Sequence, residues 1–177
     1  MIKYLLARQL DKEEVILGES VDWARYLLNK SILAFIKYAL FSPLSTHRKY
    51  ASIESICVAK LVTVKKEDCG SCLQIAINEA KRNKLNGEVI KDCINNKYDR
   101  LPTPLQITAE FTRAVLDKSG EEDGMREKLI GNQGEKALVE ISLAIATARF
   151  YPTVKRALGY SKECSLAGLD FEVRSPQ

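Results

Sequence analysis

The sequence predicts a single all-α domain. Apolar residues recur at three- and four-residue steps along most of the chain, the spacing of one helix face. Glycine, proline and polar clusters interrupt that pattern at helix-sized intervals. There are no repeats, no low-complexity tracts, no βαβ alternation and no glycine-rich phosphate loop. With 177 residues, 46% hydrophobic and 28% charged, the chain is long enough to bury one sizeable core, so residues 1–177 are taken as one domain.

Residues 1–19 read as a first helix or an irregular arm closed by Gly18. Ser20 is a candidate N-cap for a helix from Val21 towards Phe41, with Asn29-Lys30-Ser31 a possible break and Ser42-Pro43 its end, because a residue before proline avoids the helical region. Tyr50 to Val64 is the next helix; its β-branched late section, Val58 to Val64, resembles a strand, but the apolar stripe is too long for one. A helix from about Cys69 to Leu85 follows, then one from Gly87 to about Asn95 capped by Asn86. Tyr98 to Pro102 is a loop. Thr103-Pro104-Leu105-Gln106 predicts a helix start with a capping box. Ser119 to Gly124 is an acidic turn, with a short helix to about Ile130 and a break over Gly131 to Gly134. Residues 135–149 are apolar nearly all round, which predicts a central or subunit-contact helix; Pro152 to Leu158 adds a turn or two. The tail, 160–177, is expected to be loosely ordered.

Chemistry concentrates at Lys65-Lys66-Glu67-Asp68-Cys69-Gly70-Ser71-Cys72. Residues three apart share a helix face, so the two thiols can meet. A helix starting near Asp68 puts Cys69 in its first turn, where unpaired backbone N–H groups favour thiolate, the reactive form. Lys65 and Lys66 push the same way; Glu67 and Asp68 push against it. From spacing alone a CxxC is a redox pair, half of a four-cysteine zinc site, or two inert buried cysteines.

Composition narrows the classes. Net charge is +4, spread along the chain, with no arginine-rich or aromatic-interleaved stripe, so no nucleic-acid partner is expected. The one histidine, His47, excludes sites that need two imidazoles. Five cysteines (Cys57, Cys69, Cys72, Cys93 and Cys164) and no secretory signal suit a cytoplasmic protein with mostly reduced thiols. The apolar stretch Ser31 to Phe41 is too short to span a bilayer and is broken by Lys37, so no membrane role is expected.

From about Leu44 to Leu158 the order of elements resembles the carboxymuconolactone decarboxylase/AhpD-like superfamily. Its members pair a glutamate-bearing helix with a helix opening on Cys-x-x-Cys-x-x-x-His. The matching features are the helix before the motif, Cys69-Gly70-Ser71-Cys72, the step Lys84-Leu85-Asn86-Gly87-Glu88-Val89-Ile90, the Leu105–Leu116 helix, and Asn132-Gln133-Gly134 leading into Leu138-Val139-Glu140-Ile141. The resemblance implies an AhpD-like helical domain with the CxxC at the N-terminus of a central helix. It also implies an antioxidant alkylhydroperoxidase or thiol–disulfide oxidoreductase. Cys72 would be the peroxidatic thiol and Cys69 the resolving one. The substrate would be a hydroperoxide or disulfide, the reductant a dithiol such as a lipoyl domain, and the assembly a homo-oligomer, trimer or hexamer. No cofactor is implied.

Two family positions differ. The histidine four residues after the second cysteine falls on Ala76, and the glutamate twelve residues before the first falls on Cys57. The usual glutamate–histidine–thiol proton relay is therefore missing. Glu54, Glu67 and His47 are possible substitutes, and Cys57 a possible third thiol for disulfide exchange. Cys93 and Cys164 read as structural. Two alternatives remain: a non-catalytic ligand- or partner-binding protein of this fold, and a structural zinc site at Cys57, Cys69, Cys72 and Cys93, whose gaps of eleven and twenty residues depart from common zinc ribbons.

Overall fold

The computed structural model describes residues 2–160; the predicted tail and Cys164 lie outside the described residues, apart from Tyr160. Among the described residues the chain is helical, with no strand. The helices are α1 (Ile2–Leu17), α2 (Asp22–Lys30), α3 (Ile32–Ala39), α4 (Ser42–Thr46), α5 (Ile53–Lys66), α6 (Gly70–Arg82), α7 (Gly87–Ile94), α8 (Thr103–Asp117), α9 (Glu122–Gln133) and α10 (Glu135–Ala157), with a 3-10 turn at Tyr98–Arg100.

The centre of the fold is α5. Every residue from Ser55 to Val64 is buried, and α6, α7, α8 and α10 all pack against it. One side carries Cys57, Val58, Leu61 and Val64 into a cluster with α6 and α7. The other carries Ile56 and Ala59 into a cluster with Phe111, Leu129 and Ile141. A helix enclosed on all sides suits the β-branched run, since packing outweighs its modest helix propensity. Gln133 ties three helices together: it accepts from Ser55 Oγ at 2.9 Å and donates to Thr108 Oγ1 at 2.9 Å.

The N-terminal helices form a separate cluster around Leu10, Trp23, Leu28 and Phe35, which meets the end of α10 through Tyr151, Val154 and Leu158. Trp23 and Tyr38 meet edge-on with centroids 5.3 Å apart, a favoured aromatic geometry. Arg25 binds α1 to α2 through Asp11 and Glu14. Asn78 Nδ2 donates to the Leu17 carbonyl at 3.0 Å and anchors this unit to α6.

The break expected at Asn29-Lys30-Ser31 forms, with Ser31 the N-cap of α3 accepting from Ala34 N–H. Four expectations change. Ser42-Pro43 opens α4 rather than only closing the preceding helix. The capping box at Thr103 does not form: Pro102 is the N-cap, and Gln106 Nε2 instead donates to Glu110. Gly131 stays helical, and the break falls at Gly134 alone, with φ 87° and ψ 162°. Finally, α10 runs unbroken through the buried Pro152 to Ala157, and it is sided. Ala137, Ile141, Ala144 and Ala148 face inward while Val139 is exposed. It is long and apolar enough to cross a membrane, but it packs on α4, α5 and α9 and buries Glu140 and Lys155, as a core helix does.

Candidate active site

The turn between α5 and α6 builds the site. Asp68 adopts the left-handed region, φ 50°, which reverses the chain after Lys66. Cys69 is then the N-cap of α6 and Cys72 lies in its first turn. Cys69 and Cys72 are joined as a disulfide, with Cα atoms 5.2 Å apart. The two sulfurs are not equivalent. Cys69 is 0% exposed and Cys72 is 7% exposed. Cys72 lines a cavity of about 340 Å³, and Cys69 does not.

That cavity lies at the seam between the N-terminal unit and the α5–α6–α10 core. Leu17, Val21, Trp23 and Tyr38 wall one side. Cys72, Ile75, Ala76 and Glu79 of α6 form the other, with Lys60 and Val64 of α5 and Thr147, Tyr151 and Lys155 of α10. Burial raises Tyr151 above the ordinary phenol range, and Tyr38 likewise, so both face the cavity as neutral phenols. Lys60 Nζ pairs with Glu79 Oε1 at 2.6 Å across the wall. Lys155, 2% exposed, donates from Nζ to Ser71 Oγ at 2.6 Å. Ser71 Oγ in turn lies 3.9 Å from Cys69 Sγ.

The expected auxiliary residues are placed elsewhere. His47 caps α4 and sits 3.8 Å from Glu140 Oε1, so it does not serve the cysteines. Glu67 accepts from Arg149 Nε at 2.7 Å, which occupies its carboxylate. Glu54 is exposed in the first turn of α5. Lys65 turns to the Ile94 carbonyl and Lys66 to Asp117, away from the motif they were expected to polarise. Cys57 is buried in the wall behind the cavity rather than lining it. Burial, then the nearby Glu79, pushes its thiol up to about 11, leaving it protonated and a weak nucleophile at neutral pH. Burial pushes Cys93 up to about 12, in keeping with a structural role.

The four-cysteine zinc site is not assembled. Cys69 and Cys72 spend their sulfurs on each other, and no group of three or more His, Cys, Asp or Glu among the described residues is placed to hold a metal ion. Ala76 lines the cavity. Sequence reasoning missed Lys60, Glu79 and Lys155. Glu79 had a readable signal, since it lies on the cysteine helix, seven residues and about two turns beyond Cys72. No family model, curated protein or solved structure matches the chain.

Proposed function

We propose that the chain is a thiol–disulfide oxidoreductase of AhpD-like type, with alkylhydroperoxide reduction as a weaker activity, using Cys69 and Cys72. The observation that carries this reading is the asymmetry of the pair: a disulfide at a helix N-terminus in which Cys72 lines a cavity and Cys69 is fully buried and does not. In the peroxide reaction, the Cys72 thiolate attacks the terminal peroxide oxygen. The O–O bond breaks, the alkoxide takes a proton and leaves as alcohol, and Cys72 becomes a sulfenic acid. The Cys69 sulfur then displaces water from that sulfenic acid and forms the disulfide. A partner dithiol, such as a lipoyl domain, restores both thiols. We place the protein in the cytoplasm, as a homo-oligomer; exposed Leu33 and Leu40 at the α3 end of the chain offer apolar surface for self-contact.

A second reading has its own observation. Ala76, where the resemblance implies a proton-relay histidine, lines the cavity with Val21, Trp23 and Tyr38, beside the polar Glu13, Ser42 and Ser45. Such a site suits a small apolar ligand bound without chemistry.

Peptide-mapped mass spectrometry of the reduced protein separates the two. One equivalent of an organic hydroperoxide, or of a small disulfide, converts Cys69 and Cys72 to the disulfide within minutes if the first reading holds. Cys69→Ser then leaves a sulfenic acid on Cys72, and Cys72→Ser abolishes the reaction. Oxidation no faster than that of a free cysteine control with both oxidants sinks the oxidoreductase reading and favours the binding one.

A further inference from the structure

Reduction of the disulfide needs a leaving thiolate, and the fold decides which sulfur that is. Cys72 lines the cavity while Cys69 is 0% exposed and does not, so the cavity offers an incoming thiolate a route to Cys72. The S–Cys72 bond forms, the Cys69–Cys72 bond breaks, and the electron pair departs on Cys69 Sγ. A buried thiolate is costly without a donor or a positive charge beside it. Lys155 and Ser71 stand there. The Ser71 hydroxyl accepts from the Lys155 ammonium at 2.6 Å, which leaves its own proton to donate towards Cys69 Sγ, 3.9 Å away in the disulfide state.

We propose that Lys155, acting through the Ser71 hydroxyl, is the positioning pair that stabilises the Cys69 thiolate, and so makes Cys69 the leaving group when a small thiol attacks Cys72. This rests on the oxidoreductase reading above. Other charges near the turn make contacts away from Ser71. Glu67 pairs with Arg149, and its carbonyl accepts from Arg156 at 2.5 Å. Lys65 and Lys66 point to α7 and α8. Lys60 and Glu79 neutralise each other across the cavity. Asp68 is exposed and opposes the thiolate. With a dithiol reductant the step balances: the first thiolate forms a mixed disulfide on Cys72, the second displaces it, the dithiol is oxidised and the cysteine pair is reduced.

The test is the disulfide–dithiol equilibrium of the full chain in glutathione redox buffers, with the rate of reduction by dithiothreitol, from about pH 5 to about pH 9, a range bracketing ordinary thiol ionisation. Ser71→Ala, which leaves Lys155 in place, should shift the equilibrium towards the disulfide and slow reduction by roughly tenfold at the alkaline end, the scale of one hydrogen bond to a charge. The equilibrium gap should close at acid pH, where both proteins hold Cys69 as thiol. Ser71→Thr, which keeps the hydroxyl, should restore wild-type behaviour, and Lys155→Met should match Ser71→Ala. Variants that equal wild type at every pH overturn the proposal, as does a shift of the same size at every pH, the mark of a merely structural role. A wild-type disulfide that neither glutathione nor dithiothreitol reduces overturns the oxidoreductase reading together with it; wild-type exchange with unaffected variants overturns the Lys155–Ser71 assignment alone.

Discussion

Glu140 offers the sharpest test of how the scaffold is held. It is 2% exposed, on α10, and it clamps the connection that leads into α5. Its Oε1 accepts from Lys49 N–H at 2.8 Å, and its Oε2 accepts from Tyr50 N–H at 2.9 Å and Ala51 N–H at 2.8 Å. Glu140→Ala orphans all three donors. An orphaned buried donor costs about 1–3 kcal/mol. Ala51 is buried while Lys49 and Tyr50 are exposed, so water relieves two of the three. The expected loss is about 1–3 kcal/mol, the cost of the one donor that stays buried. Glu140→Gln keeps one acceptor oxygen but turns an NH₂ towards a donor; about 2 kcal/mol is expected.

The assay is urea unfolding of each full-length variant, read as a change in midpoint at unchanged m-value. Burial works against the Glu140 charge, but the N–H bonds from Ala51, Tyr50 and Lys49, with His47 nearby, outweigh it and hold the carboxyl below its ordinary range. A depressed folded value means that this stabilisation is present above the unfolded-state value of about 4.3 and is lost as pH falls through the lower folded value. Wild type should therefore lose stability across that acid window, and Glu140→Gln should lose less there. A Glu140→Ala loss under about 0.5 kcal/mol, the range of an ordinary surface change, would refute the clamp.

Other perturbations probe the cavity and the helix break. Lys60→Met strands the Glu79 carboxylate in the cavity wall; because Glu79 keeps part of its exposure, the loss should be about 1–3 kcal/mol, and Lys60→Met with Glu79→Leu should recover most of it in a double-mutant unfolding cycle. Ala76→His places an imidazole in the cavity one turn beyond Cys72 and should raise the rate of peroxide oxidation of the reduced pair in a stopped-flow trace; an unchanged rate would mean that a base at this position does not promote the reaction. Gly134→Ala meets no atom within 4 Å of the added Cβ, so its effect isolates backbone strain at φ 87° and should be about 1–3 kcal/mol in thermal unfolding.

Local pattern made the helices legible, and its limits explain the errors. The periodic stripes, Gly18, Asn86 and the acidic turn before α9 each act within a few residues. The enclosure of α5 does not: a helix buried on all sides loses its apolar face as a signal, and nothing local marks Lys60 within it. It is held instead by Glu79, nineteen positions away. Pro152 reads as a terminator because proline removes a helical donor, yet α10 packs through it. At the site, the cysteine spacing marked Cys69 and Cys72. The partner of Ser71 lies 84 positions along the chain, beyond any motif. The resemblance directed attention to Glu54, Glu67 and His47, whose side chains the fold turns to solvent, Arg149 and Glu140.

Under the proposed oxidoreductase reading, the distribution of charge bears on which half of the thiol cycle is favoured. Peroxide reduction needs a base at Cys72; Ala76 one turn on supplies none, the Lys60–Glu79 pair is internally neutralised, and Glu13 is the further carboxylate in the lining. Disulfide exchange needs instead an accessible sulfur to be attacked and a stabilised sulfur to leave. Cys72 meets the first requirement by lining the cavity, and Ser71 with Lys155 stands beside the sulfur that meets the second. Under the proposed oxidoreductase reading, the side chains beside the two sulfurs favour exchange with a thiol over turnover of a peroxide. On this argument wild type should react faster with a dithiol or disulfide than with a hydroperoxide, and Ala76→His should narrow that difference from the peroxide side alone.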